Sequence, residues 1–288
     1  MKRFIVILAL AFVITSRALH AGDAGTGESF KGPIGLQLYS LRTQILDKGM
    51  SATLDEVKTM GFKFVELAGT HNMPAEKLNK MLEERGLKAI SAHFPYDRYK
   101  AEPEAVAKEA KALGLQYAGC AWITHKGDFD EKTCREAADV FNKAGEALAK
   151  EGIKFFYHIH GFEFQPFNGG TLVDLLMSET KKETVSYQMD VLWVFFPGQD
   201  PAALLAKYSG RWELMHLKDL KKGVARGALT GGTDKANDVV LGTGQVNWPE
   251  VLAAAAKNGV KWYFIEDESP TVEAQIPPSL KYLESVKF

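Results

Sequence analysis

Eight short apolar runs, each followed by a stretch with helical spacing, recur from residue 34 to the C-terminus. The runs are Ile34–Tyr39, Phe64–Leu67, Ala89–His93, Tyr117–Cys120, Lys154–His158, Ser186–Asp190, Glu213–Leu217 and Trp262–Glu266. Their length and apolar continuity predict strands. Between them Ala, Leu, Glu and Lys fall at helical spacing over Ser51–Met60, Ala75–Arg85, Glu102–Leu113, Glu131–Lys150, Gly170–Ser178, Pro201–Lys207 and Pro249–Lys257, with a last helix near Pro278–Lys287. Gly61, Gly86, Gly114, Gly152 and Gly259 stand just before the next strand, where a helix closes readily through a left-handed residue. Eight β-then-α units in succession predict an α/β fold, a single-domain (β/α)8 barrel over residues 33–288. A doubly wound open sheet is the alternative, but no GxGxxG follows the first run.

The first 21 residues follow a different rule. Met1-Lys2-Arg3 is a basic start, Phe4 to Ile14 is unbroken apolar sequence, and Ser16, Ala18 and Ala21 are small. This is the pattern of a cleavable signal peptide over residues 1–21, and the apolar run is about half of the ~20 residues a membrane span needs. A periplasmic or secreted protein with no membrane anchor after cleavage is expected, with a flexible Gly-rich segment over residues 22–32. Removing residues 1–21 takes away three basic side chains and no acidic one, leaving 32 basic against 36 acidic groups, a formal charge of −4. Phosphate-backbone binding leans on clustered positive charge, so nucleic acid is not an expected partner. The two cysteines, Cys120 and Cys134, are expected to stay as separate thiols.

Polar residues close several of the apolar runs: His93, His158, Asp190, His216 and Glu266 stand where Val, Ile or Phe is expected. An apolar barrel interior does not tolerate such groups without partners. Imidazoles and carboxylates converging at one mouth, with no thiolate, suit a single divalent ion such as Zn²⁺ or Mn²⁺. Two irregular stretches, Lys218 to Gly244 and Asp267 to Pro278, follow the last two strands on the same face and are candidate walls of a substrate site.

The chain resembles the xylose isomerase-like TIM barrels, which include sugar phosphate isomerases/epimerases and inosose dehydratase-like proteins. The resemblance covers roughly Gly35 to the C-terminus. It rests on IGLQLYSLR at Ile34–Arg42, GFKFVEL at Gly61–Leu67, YHIHGFEF at Tyr157–Phe164, QMD at Gln188–Asp190, HLKD at His216–Asp219 and IEDE at Ile265–Glu268. It implies one divalent metal ion (Mn²⁺, Zn²⁺, Co²⁺ or Mg²⁺) held by Glu, Asp, His and Glu from the last four strands. Asp190, His216 and Glu266 match the last three. The strand-5 glutamate has no counterpart in place: His158 stands there, and the nearest carboxylate, Glu163, lies in the following turn. Either Glu163 curls back as the fourth ligand, the slightly favoured arrangement, or His158 is the ligand and Glu163 holds a neighbour. Because relatives of the epimerase type use two metal-bound glutamates as acid and base, this departure moves the expected chemistry toward histidine.

Strand alternation turns His158 and His160 to one side with Ile159 opposite, so both can face the ion and either can serve as a general base. Lys218, two residues past His216, is expected to hold a substrate oxygen or stabilise an enolate. Gln37, Tyr39, Glu66 and His93 are expected to bind hydroxyls, and Trp122, Trp193 and Phe195 to offer aromatic faces to a ring. Asp219 and Asp267 alternate to the opposite side. The expected partner is thus a small carbohydrate. The expected activity is a metal-dependent isomerase or epimerase moving a proton α to a carbonyl of an unphosphorylated sugar, cyclitol or keto-glycoside. Alternatives are a lyase or hydrolase of 3-keto-glycosides, a DNA-repair nuclease on the same fold, which the charge disfavours, and a carbohydrate-binding barrel without turnover.

Overall fold

The computed structural model describes residues 24–288; the expected signal peptide lies outside the described residues. Eight parallel strands close into a barrel: β1 (Ile34–Gln37), β2 (Phe64–Leu67), β3 (Lys88–His93), β4 (Tyr117–Cys120), β5 (Lys154–His158), β6 (Val185–Asp190), β7 (Trp212–Leu217) and β8 (Trp262–Ile265). Each strand pairs with its neighbours in sequence, and β1 pairs with β8 to complete the ring, Ile34 opposite Tyr263 and Leu36 opposite Ile265. Helices wrap the outside, so the strands are buried almost throughout. Among the described residues no helix is long and apolar enough to cross a membrane.

The interior is stacked in levels set by the two-residue side-chain period. Ile90, Tyr117, Phe156, Leu214 and Phe264 form an apolar cluster inside the ring, separate from the larger core between strands and helices. Two glycines make it fit: a Cβ on Gly35 would meet the Phe264 ring at 2.7 Å, and one on Gly119 would meet the Phe156 ring at 2.6 Å. Two residues further along the same strands stand His158, His216 and Glu266, so the polar level rests directly on the rings.

Several elements depart from expectation for identifiable reasons. The first strand ends at Gln37, whose side-chain oxygen accepts from Tyr39 N and starts a 3-10 turn over Leu38–Leu41. Tyr39 therefore sits in a turn at the rim, not on the inward side of a strand. The helix expected over Glu102–Leu113 is present as Pro103–Ala112, started by Pro103, and a further short helix that was not expected, Tyr96–Ala101, precedes it. A short helix, Val191–Phe195, follows β6 because Asp190 accepts from Trp193 N as its N-cap. The final helix starts at Val272 and runs through Pro277 and Pro278 to Ser285. From Ala24 onward, the segment expected to be flexible is docked: Phe30 is buried edge-on against Tyr263, and Gly25 N donates to Glu284. Both cysteines are buried free thiols.

The long connection after β7 has its own scaffold. Asp219–Leu220 pairs antiparallel with Asp238–Val239. The Asp219 carboxylate accepts from the backbone N–H of Leu220, Gly242, Gly244 and Val246 and from the Trp248 indole N–H. Thus anchored, the connection carries Gly231 across the mouth to Trp122, whose ring lies 2.5 Å from where a Cβ on Gly231 would be.

Candidate metal centre and substrate cavity

A cavity of about 490 Å³ opens at the C-terminal ends of the strands, bordered among others by Tyr39, His93, Trp122, His158, His160, Trp193, Glu266 and Glu268. Its size and mixed aromatic and polar wall suit a small organic molecule. Among the described residues no lysine or arginine borders it.

Behind this wall His158, Asp190, His216 and Glu266 bring one nitrogen or oxygen each to within 4.8 Å of one another. They come from the ends of four successive strands, β5 to β8, by the same inward alternation. His158 Nε2 lies 4.0 Å and His216 Nδ1 3.8 Å from Asp190 Oδ2. His216 Nδ1 is 2.6 Å from Glu266 Oε2 without the alignment of a hydrogen bond. Asp190 Oδ2 and His216 Nδ1 are thus buried without hydrogen-bond partners, which is costly unless another group takes their lone pairs. Two imidazoles and two carboxylates without thiolate, gathered at one buried point, fit a divalent ion such as zinc or manganese. Burial raises the Asp190 carboxyl to about 6 against the pull of Lys218. Burial likewise opposes charge on His216, but the carboxylates of Glu66 and Glu266 raise it to about 10. The cluster thus holds a proton that a metal ion would displace.

The fourth member of this group is His158, the second of the two expected arrangements, and not Glu163. Glu163 is fully buried in a 3-10 turn, where it accepts from Tyr157 Oη at 2.5 Å and from the backbone N–H of His160. Burial raises its carboxyl to about 7. Its position is that of a brace for the turn that presents His160.

Glu66 is corrected from a substrate contact to a buried one. It is fully enclosed, and its carboxylate accepts from Gln37 Nε2 (2.6 Å), Ser91 Oγ (2.5 Å), His216 Nε2 (2.5 Å) and Gln188 Nε2 (2.9 Å). Burial opposes ionisation, but His93, His216 and Ser91 hold the carboxyl down at about 2. Gln37 borders the cavity with its amide already spent on Glu66, His93 and Tyr39 N. His93 Nε2 contacts Gln188 Oε1 at 2.9 Å, which removes it from the alternative trio of His93, His158 and His216.

Lys218 is likewise corrected. Its ammonium is 1% exposed and does not border the cavity; it lies 2.7 Å from Glu268 Oε1 and 3.8–3.9 Å from Glu266, Asp190 and Asp238. It neutralises four carboxylates from behind the wall. Burial opposes its charge, yet Glu266, Asp238 and Asp190 keep it firmly protonated. His160 borders the cavity, its ring parallel to Phe162 and 5.6 Å from Trp193. Burial first, then the Lys218 charge, lowers its pKa to about 3, so it is a neutral imidazole near pH 7. Trp122 and Trp193 border the cavity, whereas Phe195 lies under the Arg226 guanidinium, away from it. Sequence reasoning gave no role to Gln188, Ser91, Asp238 or Glu268. For Gln188 a signal existed, since it stands two residues before Asp190 and shares its face.

A family model described as xylose isomerase-like TIM barrel matches residues 54–288. An inosose dehydratase of Clostridium botulinum (strain Alaska E43 / Type E3) is 26% identical over 272 residues, covering 81% of this chain and 87% of its own. One from Clostridium perfringens (strain 13 / Type A) is 27% identical over 258 residues, covering 79% and 82%. A solved sugar phosphate isomerase/epimerase from Parabacteroides distasonis ATCC 8503 superposes with a TM-score of 0.73 at 26% identity, covering 88% of this chain and 98% of that one. The IOLI protein, solved with a zinc atom, shares the fold with a TM-score of 0.68 at 13% identity, covering 87% and 94%. The chain belongs to the xylose isomerase-like TIM-barrel family.

Proposed function

We propose that this enzyme, of the lyase or isomerase class, removes a proton from the carbon beside a carbonyl of an uncharged polyhydroxylated ring: a sugar, cyclitol or keto-glycoside. The observation that carries the reading is a cavity bordered by a neutral histidine, His160, and by a carboxylate of the metal-compatible group, Glu266, with no cationic side chain on its wall. A phosphorylated substrate needs cationic or backbone donors around its phosphate, and the lining offers no Lys or Arg. The aromatic faces of Trp122 and Trp193 suit the C–H face of a ring.

His158, Asp190, His216 and Glu266 would hold a divalent ion, which would supply Lewis-acid polarisation of the carbonyl and so acidify the adjacent C–H. His160, neutral near pH 7, takes that proton. In a syn elimination the resulting imidazolium returns it to the departing β-oxygen, so water or an alcohol leaves and a double bond forms. Elimination is preferred over epimerisation because β5 carries His158 where a two-glutamate exchange needs a second carboxylate. The inosose dehydratase relatives support the same outcome. Isomerisation is the second reading, supported by the isomerase/epimerase neighbour.

The test uses protein loaded with Mn²⁺ or Zn²⁺ and given inososes, free ketoses and 3-keto-glycosides in D₂O, with solvent exchange and enone absorbance followed. Exchange or elimination is expected, falling roughly 10²–10⁴-fold in His160→Gln, the usual contribution of one general base. Absence of both with every compound, or an unaffected His160→Gln enzyme, overturns the reading.

A further inference from the structure

We infer that Glu66 is a positioning residue which, directly and through Gln188, decides which nitrogen of each buried histidine faces the metal-compatible group. The inference rests on the metal reading above for its purpose, but not for its geometry.

The hydrogen bonds leave one consistent assignment of protons. Gln188 Nε2 lies 2.9 Å and 3.1 Å from the two oxygens of Glu66, itself an acceptor at every other contact. Turning the Gln188 amide over would set its oxygen against this carboxylate, so Nε2 donates and Oε1 faces the other way. Oε1 then accepts from whatever touches it, namely His158 Nδ1 at 2.9 Å and His93 Nε2 at 2.9 Å. His158 is therefore the Nδ1–H tautomer, with its Nε2 lone pair on the side of Asp190 Oδ2. His93 carries its proton on Nε2, leaving Nδ1 to accept from Gln37 Nε2 at 3.4 Å. His216 donates Nε2–H to Glu66 itself, so Nδ1 is the nitrogen it can offer beside Asp190 and Glu266. One buried anion, seated on the apolar rings, thus orders three imidazoles from three strands.

The chain of contacts also foretells how it fails. In Glu66→Gln the new NH₂ group has to replace one oxygen. At Oε2 its neighbours are Ser91, whose hydroxyl can turn to accept, and Gln188, whose amide has to turn over. Gln188 would then present NH₂ to His158 Nδ1, forcing that nitrogen to accept and moving the His158 proton to Nε2, the nitrogen needed by a metal. Groups that orient ligating histidines typically change metal affinity 10–100-fold when removed.

Histidine-¹⁵N-labelled metal-free protein, examined by two-bond ¹H–¹⁵N correlation at pH 8, reads each tautomer directly, and titration with Zn²⁺ alone reads affinity. The wild type is expected to show His158 as Nδ1–H. Folded Glu66→Gln is expected to show it as Nε2–H, with zinc affinity 10–100-fold weaker. A wild-type His158 protonated on Nε2, or a folded Glu66→Gln protein with the wild-type pattern and zinc affinity within twofold, overturns the inference. Should Glu66→Gln fail to fold, Gln188→Leu decides: His158 losing its single tautomer supports the relay, and keeping it overturns the relay. A wild type with the expected tautomers but no zinc binding supports the positioning and instead overturns the metal reading.

Discussion

Replacing Asp219 by Ala removes one acceptor from five donors that span the connection between β7 and the next helix. The backbone N–H of Gly242 and Gly244 lie 2.9 Å and 3.1 Å from Oδ2, that of Val246 3.2 Å from Oδ1, and the Trp248 indole N–H 2.9 Å from Oδ2. The fifth, Leu220 N, is local to the turn. Burial pushes the Asp219 carboxyl up while these donors pull it down, so the folded site already carries a desolvation cost. In the variant the two glycine N–H groups, in the more open part of the loop, can turn to water, but Trp248 and Val246, 0% and 8% exposed, cannot. Two stranded buried donors at about 1–3 kcal/mol each give an expected loss of about 4 kcal/mol. For a domain of this size that is a fall in Tm of roughly 10 °C. Urea unfolding followed by tryptophan fluorescence and by far-UV circular dichroism measures it. A loss below about 1 kcal/mol, with the two probes still coincident, would refute the account of Asp219 as the anchor of this loop.

Two further outcomes follow from opposite ends of the barrel. At the closed end, Glu213 is 4% exposed and accepts from Tyr117 Oη and Lys261 Nζ at 2.9 Å and from Lys154 Nζ. Burial opposes its charge, but the two lysines and the tyrosine hold its pKa below the usual 4.5. A depressed carboxyl adds stability that is present above the unfolded-state pKa and lost as pH falls through the folded one. Glu213→Gln should therefore cost about 1–2 kcal/mol at pH 7 in urea titrations, with the difference shrinking below pH 4.5; a difference independent of pH would contradict this. At the open end, Trp122 is 46% exposed on the cavity rim and packs on Phe162 and His125, so Trp122→Ala should cost about 1 kcal/mol of stability while raising KM roughly tenfold. A kcat loss at unchanged KM would be the contrary result.

The barrel was legible in the sequence because each unit announces its own end: an apolar run, a helical stretch and, in six cases (Gly210 beside the five expected), a glycine with positive φ before the next strand. The period of two that brings His158, His216 and Glu266 to one level was legible for the same reason. What could not be read is how a polar side chain divides itself between neighbours from other strands. Glu66 looked like a hydroxyl binder because nothing in GFKFVEL says that Ser91, Gln188 and His216 fill its lone pairs. Lys218 looked like a substrate contact because Glu268 and Asp238, which claim it, come from loops without periodicity. The choice between Glu163 and His158 could not be read because the strand stops at His158 and the chain turns, so alternation no longer says where a side chain points. Asp190 was read as a metal ligand, while its second task, capping Val191–Phe195 through Trp193 N, passed unseen.

The rings of Phe156 and Phe264, nested against Gly119 and Gly35, do more than fill space. They pack the barrel beneath the histidines, setting an apolar layer between the level of His158, His216 and Glu266 and the end that carries Glu213. The hydrogen-bonded order among the histidines is thus set apart by a layer of apolar side chains from the salt-bridged Glu213 at the far end, with Tyr117 the ring of that layer that reaches Glu213.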